Sequence, residues 1–405
     1  MDSTKETGTT APASQTSDRL PTGVYLLGFS LFAMGSAEFL LAGVLPDVAL
    51  DLGVPLASAG LLITAFALGV VFGGPPCAVL GLRLPRRSAL LVTQAVFAAS
   101  IAIGLVGDYR VLLISRVVAG VAYAGFFAVA SVTAVRLVTP DRVGRASGVV
   151  VSGLSVAMVV GGPLGTLLSQ VLGWRGGFVA VVLLTLAGLL GCLLGIPTGA
   201  TESGAGPQVR RELAVMRTPA LWGIYAITIL STAAYMITFN YLAALLGEVT
   251  GIAAVWIPAV LALFGIGAFV GLSIGGRIAD RRPHTALLAG TIAIGLLSVV
   301  LAAAMDRAWV VVPAVFALGV AAFVLNPALY RRVFTIAAAA PTLAGATTVS
   351  AFQLGISGTP VLAAAALTHG GGLTSVSLIG ALLAVAALPL IRLDATHRAG
   401  SERTA

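Results

Sequence analysis

Twelve apolar stretches, each long enough to cross a bilayer, fill this chain between Thr22 and Arg392, and the last six echo the first six. A span needs roughly 20 apolar residues to cross a hydrocarbon core of about 30 Å. On that basis the expected spans are 22–45, 57–80, 88–107, 111–138, 146–170, 177–197, 220–246, 256–278, 285–304, 309–330, 343–367 and 373–392. Backbone groups cannot go unpaired in lipid, so every span is expected to be a helix. The echo shows in the residues. Phe66-Ala67-Leu68-Gly69-Val70-Val71-Phe72-Gly73 lines up with Phe264-Gly265-Ile266-Gly267-Ala268-Phe269-Val270-Gly271 at a spacing of 198 residues. The same spacing sets Pro85 of Arg83-Leu84-Pro85-Arg86 on Pro283 of Arg281-Arg282-Pro283-His284. The expectation is an all-α membrane protein of twelve transmembrane helices in two pseudo-symmetric six-helix bundles. Two such bundles can rock about one central site and open it to each side in turn, which points to a transporter.

Of the 405 residues, 58% are hydrophobic and only 9% charged, too few charges for a soluble domain of this size. The net charge of +8 invites a nucleic-acid partner, but its distribution argues against one. Nineteen of the 23 Lys and Arg fall in the N-terminal tail, in loops 2–3, 4–5, 8–9 and 10–11, in the central linker and in the C-terminal tail. The opposite loops hold Arg110, Arg175 and Arg307, and Arg116 lies inside a span. Alternate basic loops place both termini in the cytoplasm by the positive-inside rule. The basicity is thus a topology signal, and no nucleic-acid partner is expected. Both cysteines, Cys77 and Cys192, sit in apolar spans, so neither a disulfide framework nor a metal site is expected. No apolar segment precedes the first span, which is itself expected to target the chain. The division expected is a disordered cytoplasmic tail (1–21), an N-terminal six-helix bundle (22–197), a cytoplasmic linker (198–219), a C-terminal six-helix bundle (220–392) and a cytoplasmic tail (393–405).

Two ionisable residues lie deep within spans, Glu38 in the first and Arg116 in the fourth. A charge at mid-bilayer costs on the order of 3 kcal/mol by insertion scales, so such residues normally face the bundle interior. Desolvation disfavours the charge on a carboxylate. Glu38 is therefore expected to take and release a proton; the plainer alternative is a structural hydrogen bond to a neighbouring helix. Arg116 stays charged and is expected either to organise the proton site or to clamp helices. In the fifth span Gly161-Gly162-Pro163-Leu164-Gly165 interrupts an apolar helix, with Gly162, Pro163 and Gly165 as gating candidates. Gly355-Ile356-Ser357-Gly358-Thr359-Pro360 is its counterpart in the eleventh span, and paired broken helices mark a gating and binding region. Residues placed to line that region are Tyr123, Phe126, Met158, Tyr235, Phe239, Asn240, Phe264, Asn326 and Gln353. Gly69 and Gly73, matched by Gly267, Gly271 and Gly275, have the spacing that lets backbones approach closely. Ordinary packing accounts for most of them, but their matched placement suggests a mobile contact between the bundles. The residues form no catalytic constellation, cofactor motif or metal cluster, so no enzyme activity or cofactor is expected.

These residues resemble the major facilitator superfamily, and within it the twelve-span drug:proton antiporters. The likeness covers nearly the whole chain. Gly276-Arg277-Ile278-Ala279-Asp280-Arg281-Arg282-Pro283 is similar to the family's loop signature, which implies gating roles for Asp280 and Arg281. Its first-half equivalent, Ala78 to Arg87, keeps the basic end with Arg86 and Arg87 but has Leu82 where the signature has Asp. Ser115-Arg116-Val117-Val118-Ala119-Gly120 is similar to the fourth-span signature, whose Arg the family implicates in proton transfer. Gly162-Pro163-Leu164-Gly165 resembles the antiporter signature of the fifth span, with Thr166 in place of a second Gly. Ala37-Glu38-Phe39-Leu40-Leu41-Ala42-Gly43-Val44-Leu45-Pro46-Asp47 and Trp256-Ile257-Pro258 resemble actinobacterial chloramphenicol-resistance exporters.

What the resemblance implies is export of a small amphipathic drug, chloramphenicol first, in exchange for protons across a bacterial inner membrane, by a monomer. A sugar or nucleoside exporter of the same superfamily is the alternative. Each buried sugar hydroxyl needs a hydrogen-bonding partner, and the interior candidates here are mostly aromatic and apolar. A non-transporting membrane sensor is a third possibility, but it would be expected to carry a soluble signalling domain.

Overall fold

The computed structural model describes residues 20–81, 85–197, 215–338 and 340–404, and among them every regular element is helical. The first four spans are α1 (Thr22–Asp51), α2 (Leu56–Gly81), α3 (Arg86–Val106) and α4 (Tyr109–Arg136). The fifth begins as α5 (Val143–Val156), passes through a π-turn at Ala157–Gly161 and enters α6 (Gly162–Gly195). Among the described residues eleven helical stretches are long and apolar enough to cross a membrane, and one of them, Val143–Gly195, has 53 residues. At Gly173 its backbone leaves the helical region, with φ 73° and ψ 164°. A positive φ is open to glycine at little cost. The chain reverses there, since a side chain on Gly177 would meet Ser169 and the Gly165 carbonyl. The stretch is therefore two antiparallel spans, which makes twelve.

The second half repeats the plan with α7 (Pro219–Asn240), α8 (Ile257–Arg281) and α9 (Pro283–Ala304). The tenth span is divided into α10 (Ala308–Val324) and α11 (Asn326–Ile336), followed by α12 (Pro341–Thr368) and α13 (Ser375–Thr404). A short turn, Leu242–Ala244, and a second π-turn, Leu245–Val249, extend the seventh span. Large apolar side chains such as Phe72, Leu183, Phe269, Leu296 and Leu382 stand exposed, as a surface facing lipid allows.

Several boundaries differ from expectation for physical reasons. The expected N-terminal tail lies outside the described residues up to residue 19, as does the linker from 198 to 214. The expected tail from 393 is helical as far as Thr404. Its Asp394 is buried and held by Arg332 of α11 and His284 of α9, so the bundle ends beyond Arg392.

The matched glycines do not join the two bundles. A side chain on Gly69 would strike the Val117 carbonyl, and one on Gly120 the Phe66 carbonyl, so these residues seat α2 on α4. Gly267, Gly271 and Gly275 meet the backbones of Phe316, Val320 and Val324 and seat α8 on the tenth span. Their faces turn into their own halves. The symmetry is that of two internal packings, and the expected mobile contact is not there.

The eleventh span is also unbroken, although Pro360 lies inside it. Proline leaves the carbonyl four residues earlier without its N–H partner. Here that carbonyl belongs to Ile356, and the Thr359 hydroxyl donates to it at 2.8 Å. The break in the second half lies instead at Leu325, just before Asn326-Pro327, where α10 gives way to α11.

The halves meet from the side away from the termini, through mid-depth, to Gly74 of α2, where a side chain would lie 3.5 Å from Ser350 Oγ of α12. Thr64 of α2 donates to the Ser357 carbonyl of α12 at 2.8 Å. Gln170 of the fifth span donates to the Ala254 carbonyl at 2.5 Å. Gly265 of α8 lies against the backbone of Val159, in the π-turn of the fifth span. Phe39 of α1 meets Phe239 of α7 edge to face, with ring centroids 6.2 Å apart.

Candidate functional site

Glu38 sits near the middle of α1, between the buried Ala37 and Phe39, and keeps part of its own surface accessible. Gln353 of α12 reaches it across the boundary between the halves, and its Nε2 donates to Glu38 Oε1 at 3.3 Å. The two residues are 315 positions apart in sequence. The carbonyl oxygen of the same Gln353 amide is buried without a partner.

Arg116 is among the largest fully buried side chains, at 1% exposure. Its position is set by α4 packing on α2 through Gly69 and Gly120. Nε donates to the Leu62 carbonyl at 3.5 Å, and the guanidinium lies 4.5 Å from the Phe66 ring centroid and 6.0 Å from that of Phe178. A desolvated contact of this kind is worth on the order of 2 kcal/mol. Nη1 has no hydrogen-bond partner. Glu38 and Arg116 lie within electrostatic reach of one another. The arrangement holds one titratable carboxyl between a fixed cation with a spare donor and an amide from the opposite half.

Aromatic rings surround this group. Tyr123 of α4 packs on Phe66 at 5.6 Å between centroids. In the second half Phe239 and Phe264 lie 4.5 Å apart, Tyr235 is 6.4 Å from Phe264, and Phe323 is 5.9 Å from Tyr235. Tyr330 of α11 lies 5.6 Å from Phe352 of α12. Of the lining residues expected from sequence, Gln353 joins Glu38 directly, while Tyr235, Phe239 and Phe264 form one aromatic cluster. Phe126 is wholly buried, and Met158 lies in the π-turn that abuts Gly265. Asn240 is committed elsewhere, since its Nδ2 donates to Thr359 Oγ1 at 2.8 Å and ties α7 to α12. Asn326 opens α11, and its side-chain oxygen is buried without a partner.

The gating candidates occupy the helix ends and the fifth span. Gly162 and Pro163 are buried where the π-turn passes into α6; a side chain on Gly162 would meet Phe39, and one on Gly165 would meet Leu40. Arg87 donates to the Leu193 carbonyl of the sixth span. Arg86 is half-buried and Arg281 exposed, while the side chain of Asp280 and residues 82–84 lie outside the described residues. Phe39, Phe66, Phe323, Tyr330 and Phe352 were not anticipated as part of the surround. Phe39 follows Glu38 directly, and Phe323 and Tyr330 flank the Asn326-Pro327 break, so proximity to those signals was the available clue. Among the described residues no group of three or more His, Cys, Asp or Glu could hold a metal ion.

The sequence model of the Major Facilitator Superfamily matches residues 27–360. A chloramphenicol resistance protein of Streptomyces lividans is 42% identical over 376 residues, covering 91% of this chain and 95% of that protein. The inner membrane transport protein YdhP of Escherichia coli is 30% identical over 370 residues, with coverage of 91% and 95%. The crystal structure of the nucleoside transporter NupG superposes with a TM-score of 0.75 at 13% identity, over 92% of this chain and 99% of that one, a likeness of fold.

Proposed function

The chain belongs to the major facilitator superfamily and is a multi-pass membrane transporter rather than an enzyme, and on that premise we propose that it exports a small amphipathic drug, chloramphenicol first, in exchange for protons. The observation that carries the coupling is the placement of Glu38. It is a titratable carboxyl at mid-depth between the halves, facing Arg116 from one half and Gln353 from the other. A proton and a substrate can compete for such a group, which is what obligatory exchange requires. The halves touch at mid-depth and away from the termini. That supports an alternating-access cycle about a site set between the opposite side and the side bearing the termini. The basic loops support a cytoplasmic position for that side in a bacterial inner membrane.

The substrate class rests on the surround and on the relative. The surround is aromatic, and apolar pockets with few polar groups suit neutral or weakly charged aromatic molecules. One interior carboxyl, given over to the proton, leaves little for a dication, and one guanidinium little for a strong anion. The relative that is 42% identical is a chloramphenicol resistance protein. A monomer suffices, since both halves of the site come from one chain. The loop residues Asp280, Arg281, Arg86 and Arg87, with the kink at Gly162, Pro163 and Gly165, serve as the gate in this reading. The test is expression in an exporter-deficient bacterial host. Chloramphenicol tolerance should rise, and a protonophore should abolish the difference in intracellular drug. Unchanged accumulation, with membrane expression verified, would move the assignment to a sugar or nucleoside exporter.

A further inference from the structure

Glu38 and Gln353 come from opposite halves, and their contact is incomplete as it stands. The amide N–H is used, but the amide oxygen is buried and unpaired. An ionised carboxylate can only accept, so it leaves that oxygen without a partner; a protonated carboxyl carries an O–H that can donate to it. Protonation therefore turns one hydrogen bond into a reciprocal pair, in which amide N–H meets carboxyl oxygen and carboxyl O–H meets amide oxygen. We infer that Glu38 and Gln353 form a proton-dependent clasp between the two halves, with Gln353 as the positioning residue that reads the protonation state of Glu38. The inference rests on the reading of Glu38 as the proton carrier.

Of the remaining groups around Glu38, the Arg116 cation favours the opposite state. From α4 come Arg116, with its unpaired Nη1, and Tyr123, and from α7 comes Tyr235, all in electrostatic reach of Glu38. Tyr330 of α11 is in reach of both tyrosines. Neither α2 nor α7 nor α12 carries an Asp, Glu, Lys or Arg; Asp47 and Asp51 of α1, Arg110 and Arg136 of α4, and Arg145, Arg175 and Arg277 lie near the ends of their spans, while on α11 Arg331 donates to the Ala279 carbonyl and Arg332 to Asp394. Arg116 thus stabilises the ionised carboxylate whether or not the halves touch, whereas both hydrogen bonds to Gln353 exist only when they do; the first serves the ionised form, and the second is the one that only a proton on Glu38 adds. By linkage, a proton on Glu38 favours the clasped conformation, and the clasped conformation holds the proton more tightly. A substrate that inserts between α1 and α12 must part the pair, and parting it loosens the proton.

The clasp is tested on the full-length protein in lipid nanodiscs. Spin labels go on Thr139→Cys and Thr335→Cys, exposed positions near the ends of the fourth and tenth spans, with Cys77 and Cys192 replaced by Ala. Distances between the labels are followed against pH by pulsed electron paramagnetic resonance. The unmodified site should pass from one distance population to another as pH rises. In Gln353→Met, of similar length but without the amide, the midpoint should move to lower pH by about one unit, a tenfold weaker hold on the proton. Gln353→Asn, an amide one methylene short, should show the same shift and serves if the Met variant does not assemble. Glu38→Gln keeps a reciprocal amide pair at every pH, so its distances should stay at the clasped value. No pH response in the unmodified site, or an unmoved midpoint in both Gln353 variants with Glu38→Gln unresponsive, overturns the clasp; the second result leaves Glu38 as carrier. A normal pH response in Glu38→Gln removes the carrier reading and the clasp with it.

Discussion

Asp394 accepts two hydrogen bonds from Arg332, Nε to Oδ2 at 2.9 Å and Nη2 to Oδ1 at 2.6 Å, and so locks the last helix onto the tenth span. His284 Nε2, at the start of the ninth span, lies 2.9 Å from the same Oδ2. Both members of the ion pair are buried. Removing one partner of a buried pair strands the other charge and costs about 3–5 kcal/mol. Asp394→Ala should therefore lower the thermal unfolding midpoint markedly. Asp394→Leu combined with Arg332→Met should recover much of the loss. Thermal unfolding of the three proteins in one detergent checks both statements.

Glu38→Gln preserves shape and removes titration. Chloramphenicol should still bind, but uphill export should fall to the level of vesicles without protein. Proteoliposomes with an imposed pH gradient measure this, and full active export by the Gln variant would contradict the coupling role.

Arg116 is held by the faces of two rings, a carbonyl and the charge of Glu38. Lysine has neither the planar fork nor the ring-stacking surface. Arg116→Lys should reach the membrane in normal amount yet transport more slowly by at least about tenfold, as expected from losing a contact of ~1.4 kcal/mol or more. Transport at the unmodified rate would reduce Arg116 to a generic charge.

Gly69 and Gly267 each face a backbone carbonyl of the same half, whereas a side chain at Gly276 would meet open space. Gly69→Ala and Gly267→Ala should each destabilise the protein by about 1–3 kcal/mol, the usual cost of overpacking. Gly276→Ala should cost nothing. Since the contacts lie inside a half, the transport rate per folded molecule should hardly change. A selective loss of transport without loss of stability would instead argue for movement at these faces.

What the sequence by itself determined is whatever lipid imposes on a single segment. Apolar length and the need to pair every backbone group fix the number and kind of spans. The repeat from Phe66 to Phe264 identifies the two halves, and the cost of burying charge singles out Glu38 and Arg116. Each of these follows from residues close together in the chain. The tertiary structure alone decided which faces meet. The partner of Glu38 is an amide 315 positions away, and no local pattern encodes that pairing. Asn240 resembled a lining residue until Thr359 took its donor, and the same Thr359 hydroxyl mends the helix at Pro360. The paired glycines suited a contact between the halves as well as one within them, because their spacing reports close approach but not the neighbour that approaches. In a bundle where nearly every helix is apolar all round, hydrophobic periodicity cannot orient the helices. Their rotation is set by side-chain packing and by the few polar pairs across the interfaces.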